Sequence, residues 1–528
     1  MTGAINSSKD TNDMSLEIAK RFLQSAVILD DQAYFPNPNV VPMRVIPPGY
    51  GPSRDLGTEA PPQTPDHRLN AKTLVDSFAD QGLVCSVFMP HEGGQYAERI
   101  RKIAAKADIV ILDWTLFEES GADVGNESLQ LIDNILKNDA NSDRDRIRLI
   151  AIYTAQPDLV LITDKIESWL QDNGFKPERS ESLITSGRLN IRVLNKNEVS
   201  EEQLPLELIT EFASMIEGLL PNVAVSGLAS LRENTYQLLG HFSADMDPAY
   251  LGQRVLLDNP SDAEQQLVTA LTGEIQAILE DSQVGQSAGS EAMRAWVEAA
   301  VVDGLNLADG LKPRFKKDHA DIIEFACEVL QIGAKATKGR HGLTSQPWKN
   351  VTNVFSDKKE SALKADHEFA ALLSLKRSYG TPRLWLGSVV AFDTEESPTY
   401  LLCVQPRCDS TNLTGKTSFP FLPLLGFDDS TQRLEACVIR DGNELKTFKV
   451  SERVGEMVMV EFEPSTNPPG EVVAQWEDGH YRFGAVAQSY RWVGELKSEP
   501  AQRVANRFAA WTARVGLAES AWLSSYHP

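Results

Sequence analysis

Five short apolar runs divide the N-terminal part of the chain. They are Ala26-Val27-Ile28-Leu29, Leu83–Met89, Ile109-Val110-Ile111-Leu112, Leu149-Ile150-Ala151-Ile152-Tyr153 and Ile191-Arg192-Val193-Leu194-Asn195. Stretches of helical periodicity separate them, at about 70–81, 95–107, 127–137 (Leu129, Ile132, Ile135) and 159–170. Continuous apolar runs alternating with helices read as parallel strands buried on both faces. The pattern predicts a doubly wound, five-stranded parallel sheet. A short lead-in helix is predicted over Ser15–Gln24. A closing helix is predicted from Ser200 as N-cap, with Glu201, Glu202 and Gln203 favouring its dipole, and ending at Leu219-Leu220-Pro221. Pro205 requires that helix to start late. The stretch Lys176–Ser186 is longer than a simple connection and leaves room for an extra turn or strand.

Beyond Val225 the periodicity is helical, at about 228–239, 262–279, 290–302, 319–332 and 364–377. Past Thr381 it becomes strand-like, over 384–392, 400–405, 436–439, 445–450, 457–462 and 471–476, with Asp-Gly and Asn-Pro-Pro-Gly turns between runs. Helices are expected again at 501–515 and near 519–523. The overall expectation is a multidomain α/β chain. A disordered tail covers 1–14 and a sheet domain covers 15–222, carrying a long Pro/Gly/Asn-rich insertion at 34–67. A mainly helical domain spans 223–380, a small β barrel or sandwich 381–500, and C-terminal helices 501–528.

A length of 528 residues requires several domains. Net charge −23 argues against a nucleic-acid-binding output, because phosphate contacts dominate such affinity. No run reaches the roughly 20 apolar residues that cross a bilayer. The polar N-terminus resembles neither a signal nor a transit peptide. Five cysteines, few and odd in number, fit a reducing cytoplasm. Cys403 and Cys408 form a Cys-x4-Cys pair, but no second pair or nearby His completes a metal site. The favoured reading there is a strand followed by a turn, with Arg407 and Asp409 making local contacts. Two basic stretches, 313–317 and 333–356 (Lys335, Lys338, Arg340, His341, Trp348, Lys349), read best as solvated loops. No glycine-rich nucleotide loop is present.

The chemistry concentrates where the strands end. Asp30 and Asp31 close the first run, Asp113 the third, Thr154 the fourth, and Lys196 follows the fifth. Ligands of open parallel sheets bind beyond the strands' carboxyl ends, so these side chains are expected to meet in one crevice. A carboxylate can act as a nucleophile towards phosphorus. Three clustered carboxylates repel one another unless a hard divalent cation holds them, and Mg²⁺ is the expected one. A Lys ammonium and a hydroxyl then suit phosphoryl oxygens. The expected roles are Asp113 as phosphoacceptor, Asp30 and Asp31 with Asp113 as metal ligands, and Thr154 and Lys196 on the phosphoryl group.

In these residues the chain resembles a response-regulator receiver domain over roughly 20–217. The matching pieces are Asp30-Asp31, Leu112-Asp113-Trp114-Thr115-Leu116, Tyr153-Thr154-Ala155 and Val193-Leu194-Asn195-Lys196. Several features depart from the family pattern. Asp31 and Asp113 are 82 residues apart (113 − 31), well beyond the usual separation. Asn197 stands where the family usually has Pro, and Val193 where it has a switch aromatic. The resemblance implies a phosphoprotein of a two-component system, with a sensor histidine kinase as phosphodonor and a second regulator or effector protein as further partner. It also implies that Thr115 and Gln156, two positions after Asp113 and Thr154, modulate the lifetime of the aspartyl phosphate. Long-insertion receivers without a DNA-binding module resemble components of bacterial anti-phage systems. Signalling and a phosphate-sink role both fit, as do an unphosphorylated pseudo-receiver scaffold and a C-terminal effector enzyme under receiver control. Neither nucleic acid nor membrane is expected as a partner, and no catalysis beyond phosphoryl acceptance and autodephosphorylation.

Overall fold

The structure is a computed structural model. It describes residues 4–36, 68–90, 96–117, 124–140, 146–257, 260, 262–302, 319–341, 355–356, 359–377, 380–393, 397–426, 436–451, 453–466 and 469–512. Most of the insertion expected at 34–67 lies outside these residues. So do the stretch 313–317, Trp348 and Lys349, and the helix expected near 519–523. The chain divides into two compact units, Met1–Gly304 with Lys317–His341, and Leu305–Lys316 with Gly342–Pro528.

The first unit is built on β1 (Ser25–Leu29), β2 (Val84–Phe88), β3 (Ile109–Leu112), β4 (Arg148–Thr154), β5 (Glu178–Ser180), β6 (Leu183–Ser186) and β7 (Leu189–Asn195). Its sheet order is β2-β1-β3-β4-β7-β6-β5. The first five strands of that order are mutually parallel, as the apolar runs predict. Among the described residues the sheet nevertheless has seven strands, not five. The stretch 176–186 folds into an antiparallel hairpin, β5–β6, which extends the sheet beyond β7. Its two-residue loops begin at Glu181 (φ 51°) and Gly187 (φ 62°), the positive-φ geometry that lets tight hairpins match strand twist. β5 is wholly exposed, so it has no apolar run by which periodicity could find it.

Strand residues alternate between two cores. Ile28, Ile111, Ala151 and Tyr153 face α2 (Ala71–Asp80) and α6 (Leu204–Met215). Leu29, Leu112, Ile150 and Ile152 face α4 (Asn126–Ala140) and α5 (Leu159–Asp172). The remaining sheet helix is α3 (Tyr96–Ala104). α6 does start late: Gln203 is its N-cap and makes no side-chain cap, and Pro205 sits in the first turn, where its missing N–H costs nothing. Leu219-Leu220-Pro221 does not close that helix. It opens the next one, α7 (Leu219–Glu233), for the same reason.

The helix expected over Ser15–Gln24 begins earlier. α1 runs Ala4–Phe22, and Ile18, Ala19 and Leu23 join the core beside Leu208, Ile209, Phe212 and Val225. Arg21 donates to both carboxylate oxygens of Glu233, and Arg232 to Asp108 and the Phe22 carbonyl. α7 is thereby fixed to the sheet domain. α8 (Thr235–Gly240), α9 (Asp247–Leu256), α10 (Asp262–Asp281), α11 (Ser290–Val302) and α12 (His319–His341, kinked at Gly333) belong to the same unit. The helices expected as a separate domain therefore divide between the two units.

The second unit holds α13 (Lys359–Ser374), a nine-stranded antiparallel sheet and α14 (Ser498–Thr512). Its strands are β8 (Ser388–Phe392), β9 (Thr399–Cys403), β10 (Thr417–Gly426), β11 (Ala436–Asp441), β12 (Glu444–Val450), β13 (Val458–Phe462), β14 (Gln475–Glu477), β15 (His480–Gly484) and β16 (Ser489–Glu495). Adjacent residues bury into opposite cores: Leu402 and Val389 into one, Leu401 and Val390 into the other. Among the described residues no helix is long and apolar enough to cross a membrane.

Candidate functional site

Strand register brings the chemical residues to one rim. Leu29 pairs with Leu112, Leu112 with Ile152, and Thr154 with Asn195. The next residue of each strand continues its ladder. Asp30 N–H donates to the Phe88 carbonyl (3.3 Å), Asp113 N–H to Leu29 (2.9 Å), and Lys196 N–H to Thr154 (2.8 Å). The side chains leaving the sheet here are anchored by the most buried part of the fold.

The site itself is compact. Lys196 Nζ donates to Asp30 Oδ2 and to Asp113 Oδ2, both at 2.7 Å. Asp30, almost fully buried, also accepts from the Gln32 N–H (2.8 Å). Asp31 Oδ2 accepts from the Phe117 N–H (2.9 Å) across the crevice. Ligand oxygens of Asp30, Asp31 and Asp113 all lie within 4.8 Å of one another. Burial pushes the Asp113 carboxyl up to about 6; the Lys196 ammonium opposes this and Asp30 adds to it. Burial likewise raises Asp31, against the Phe117 N–H and with Asp30. Lys196 loses charge stabilisation to burial but gains more from Asp113 and Asp30, so its ammonium is held above its ordinary value.

The donor set fits a hard divalent cation. Asp31 Oδ1 is buried with no hydrogen-bond partner, an uncompensated carboxylate oxygen beside two others. Three carboxylates against one ammonium leave excess negative charge, which an added cation neutralises.

Thr154 is fully buried at the end of β4, and its Oγ1 accepts from the Gln156 N–H (3.3 Å). Gln156 Nε2 donates to Thr115 Oγ1 (3.3 Å), so the two positions named as modulators touch. Asn195 and Asn197 organise the last loop: Asn195 Nδ2 donates to the Gln156 carbonyl and Asn195 Oδ1 accepts the Asn197 N–H. The expected site residues therefore share one rim: Asp30, Asp31, Asp113 and Lys196 at its centre, Thr154, Thr115 and Gln156 beside them.

Residues 22–201 match the family model of the response receiver domain. No curated protein and no solved structure matches the chain. The matched segment spans β1 to β7 and contains every residue named above.

Several supporting residues of this receiver-like segment carry no sequence signal. Phe117 takes φ 62°, unusual for an aromatic, which aims its N–H at Asp31. Ser128 Oγ, buried on α4, donates to the carbonyls of Asp113 (2.6 Å) and Trp114 (3.2 Å). Gly125 (φ 87°) lies against the Trp114 indole, where a Cβ would overlap the ring. A single glycine between Val124 and Asn126 is its only trace.

Among the described residues the Cys-x4-Cys pair belongs to no group of three metal-ligating side chains. Cys403 is buried on β9, where burial pushes its thiol up to about 12, and Cys408 is exposed in the turn beyond. Arg407 does not make the local polar contact expected of it but lies over the Trp385 ring, its guanidinium carbon 3.9 Å from the ring centroid. Arg340 pairs with Glu328 (2.5 Å).

Proposed function

We propose that the receiver segment accepts a phosphoryl group on Asp113 from a sensor histidine kinase. An Asp113 carboxylate oxygen attacks phosphorus, the phosphohistidine P–N bond breaks, and its electron pair returns to the imidazole. The observation that carries this reading is Lys196 Nζ at 2.7 Å from both Asp113 and Asp30. One ammonium beside a nucleophile and an acidic pair is what positions and neutralises a transferring phosphoryl group. Asp30, Asp31 and Asp113 would hold Mg²⁺, which when bound neutralises the carboxylates and the incoming phosphoryl oxygens. Thr154 Oγ1 and Lys196 Nζ donate to those oxygens.

A phosphate sink or buffer is favoured over a conformational signal by Val193. It stands where the family has its switch aromatic and is buried in the strand core, so this position has no ring to swing. Protein partners, and a role in anti-phage defence, follow only from the resemblance.

The test is beryllofluoride titration with Mg²⁺, read by Trp114 fluorescence, beside labelling by acetyl phosphate or a cognate kinase. Asp113→Ala should abolish labelling. Wild-type labelling of that variant would remove the assignment. Lys196→Met should retain Mg²⁺ binding while transfer falls by two orders of magnitude or more, in line with loss of one preorganised charge, about 10²–10³. Collapse of metal affinity instead would show that Lys196 builds the cation site.

A further inference from the structure

The segment from α8 to the first half of α10 has almost no interior. Among its described residues from 235 to 273, only Ala263 is buried. It is nonetheless an ordered hairpin: Arg254 pairs with Glu264 (3.0 Å), Gln253 with Gln266 (3.3 Å) and His241 with Glu274 (2.7 Å). Those contacts set α9 antiparallel to α10 through polar groups and leave its apolar side chains outward.

The apolar stripe of α10 is half used. Its C-terminal half packs on α7 and on the 3₁₀ turn Val284–Ala288, with Leu279 against Gly227. Ile275 and Ile278 are partly buried there. Helical spacing carries the same stripe back to Leu271, Val268 and Leu267, all exposed. On α9, Leu251 is 58% exposed, Val255 81% and Leu256 82%. These six side chains of α9 and α10 expose on the order of 600 Å², within the roughly 600–1,000 Å² per partner of a standard interface. A monomer rarely leaves so large a patch bare.

We propose that α9 and the N-terminal half of α10 form the interface of a homodimer, each copy covering the other about a two-fold axis. Charge excludes a lipid surface or a nucleic acid: from Thr235 to Asp281 there are one Arg, no Lys and eight acidic residues. A face this apolar needs cover whenever the chain is folded. A second copy is the partner always present at the chain's own concentration. Two-fold pairing supplies equal area on both sides, and antiparallel α9 helices set the positive end of each helix dipole beside the negative end of the other.

Sedimentation velocity of the full chain at micromolar concentration tests this, with hydrogen exchange followed across a dilution series. The wild type should sediment as a dimer and lose amide protection in 247–271 on dilution. The double variant Leu251→Glu, Val255→Glu should sediment as a monomer with unchanged far-ultraviolet circular dichroism. A monomeric wild type overturns the proposal; if its amides there stay protected at every dilution, another segment of the chain covers the face. Flotation of that monomer with vesicles would assign the face to lipid instead. A variant that remains dimeric also overturns it, placing the interface elsewhere.

Discussion

At the scale of single residues, the site depends on a balance between burial and charge. Asp113 is driven towards protonation by its surroundings and kept ionised near neutrality by one ammonium, which leaves a carboxylate both charged and poorly solvated. In the proposed function, access to the aspartyl phosphate is governed beside it. The Gln156 amide reaches Thr115 Oγ1 at 3.3 Å, linking the loops after β4 and β3 across the mouth of the crevice. Replacing Gln156 by Ala removes that link and one donor able to orient or exclude water. The decay rate of the aspartyl phosphate should therefore change several-fold, while labelling at Asp113 persists. Unchanged decay, followed as loss of label in a chase, would separate Gln156 from water access. These positions were legible because Asp, Thr and Lys directly after apolar runs are chemically conspicuous. Ser128, Gly125 and the Phe117 amide were not. Their contribution lies in one hydroxyl, a missing Cβ and a backbone N–H, and each needs the tertiary path of the loop to acquire a target.

Elements were legible to the degree that a single core dictated their pattern. Four of the five parallel strands, β1, β3, β4 and β7, are buried on both faces and announce themselves as near-continuous apolar runs, while β2 lies partly exposed at the sheet edge. The hairpin 178–186 does not, since β5 buries nothing. Arg148 misleads in the other direction. A charged residue opening β4 looks solvent-facing, yet it is fully buried, bidentate to Asp139 at 2.8 Å and donating to the Ala104 and Ala107 carbonyls. The second unit contains a comparable lock. Asp441, at the end of β11, accepts from Arg491 (2.5 Å) on β16, Tyr400 (2.6 Å) on β9 and Lys446 (3.3 Å) on β12, tying four strands together. Burial alone would raise its carboxyl, but the Arg491 guanidinium and the Tyr400 hydroxyl outweigh it and hold it well below the carboxylate range. A carboxyl depressed in the folded state stabilises above its unfolded value near 4 and loses that contribution as pH falls below it. Thermal melts of the second unit should thus lose stability steeply below pH ~4. Asp441→Asn should lower Tm at pH 7 and flatten this acid limb, the two curves converging only as pH falls through the depressed value of Asp441. Parallel curves for variant and wild type would mean the lock contributes nothing.

For the whole molecule, the sequence shows where the class of structure changes but not where one core ends. The switch from helical to strand periodicity near Thr381 is real, yet α13 before it lies in the same unit as the β sheet. The boundary expected at 222 cuts inside α7. Helical periodicity reports that a stripe is apolar without saying which surface receives it, and that is why the receiver-like segment looked separable. In the fold, α1 fills the space between α6 and α7: Ile18, Ala19 and Leu23 pack with Phe212 and Val225. Buried Ser15 and Asn222 hydrogen-bond to each other (3.1 Å). Arg232 and Glu233 reach back to Asp108 and Arg21 across the same seam. A fragment ending at 222 therefore strips α1 of one flank, exposing apolar surface worth about 1.5–3 kcal/mol for each large side chain bared. It also removes the cation that Asp108 faces. Such losses are comparable to the total stability of a domain, about 5–15 kcal/mol. The fragment 1–222 should accordingly show a broad melt and exposed-core dye binding, whereas 1–341, which keeps α7 and the helices behind it, should unfold in one cooperative transition. Cooperative unfolding of 1–222 with the same midpoint would mean that the helical layer rests on the receiver-like segment without supporting it.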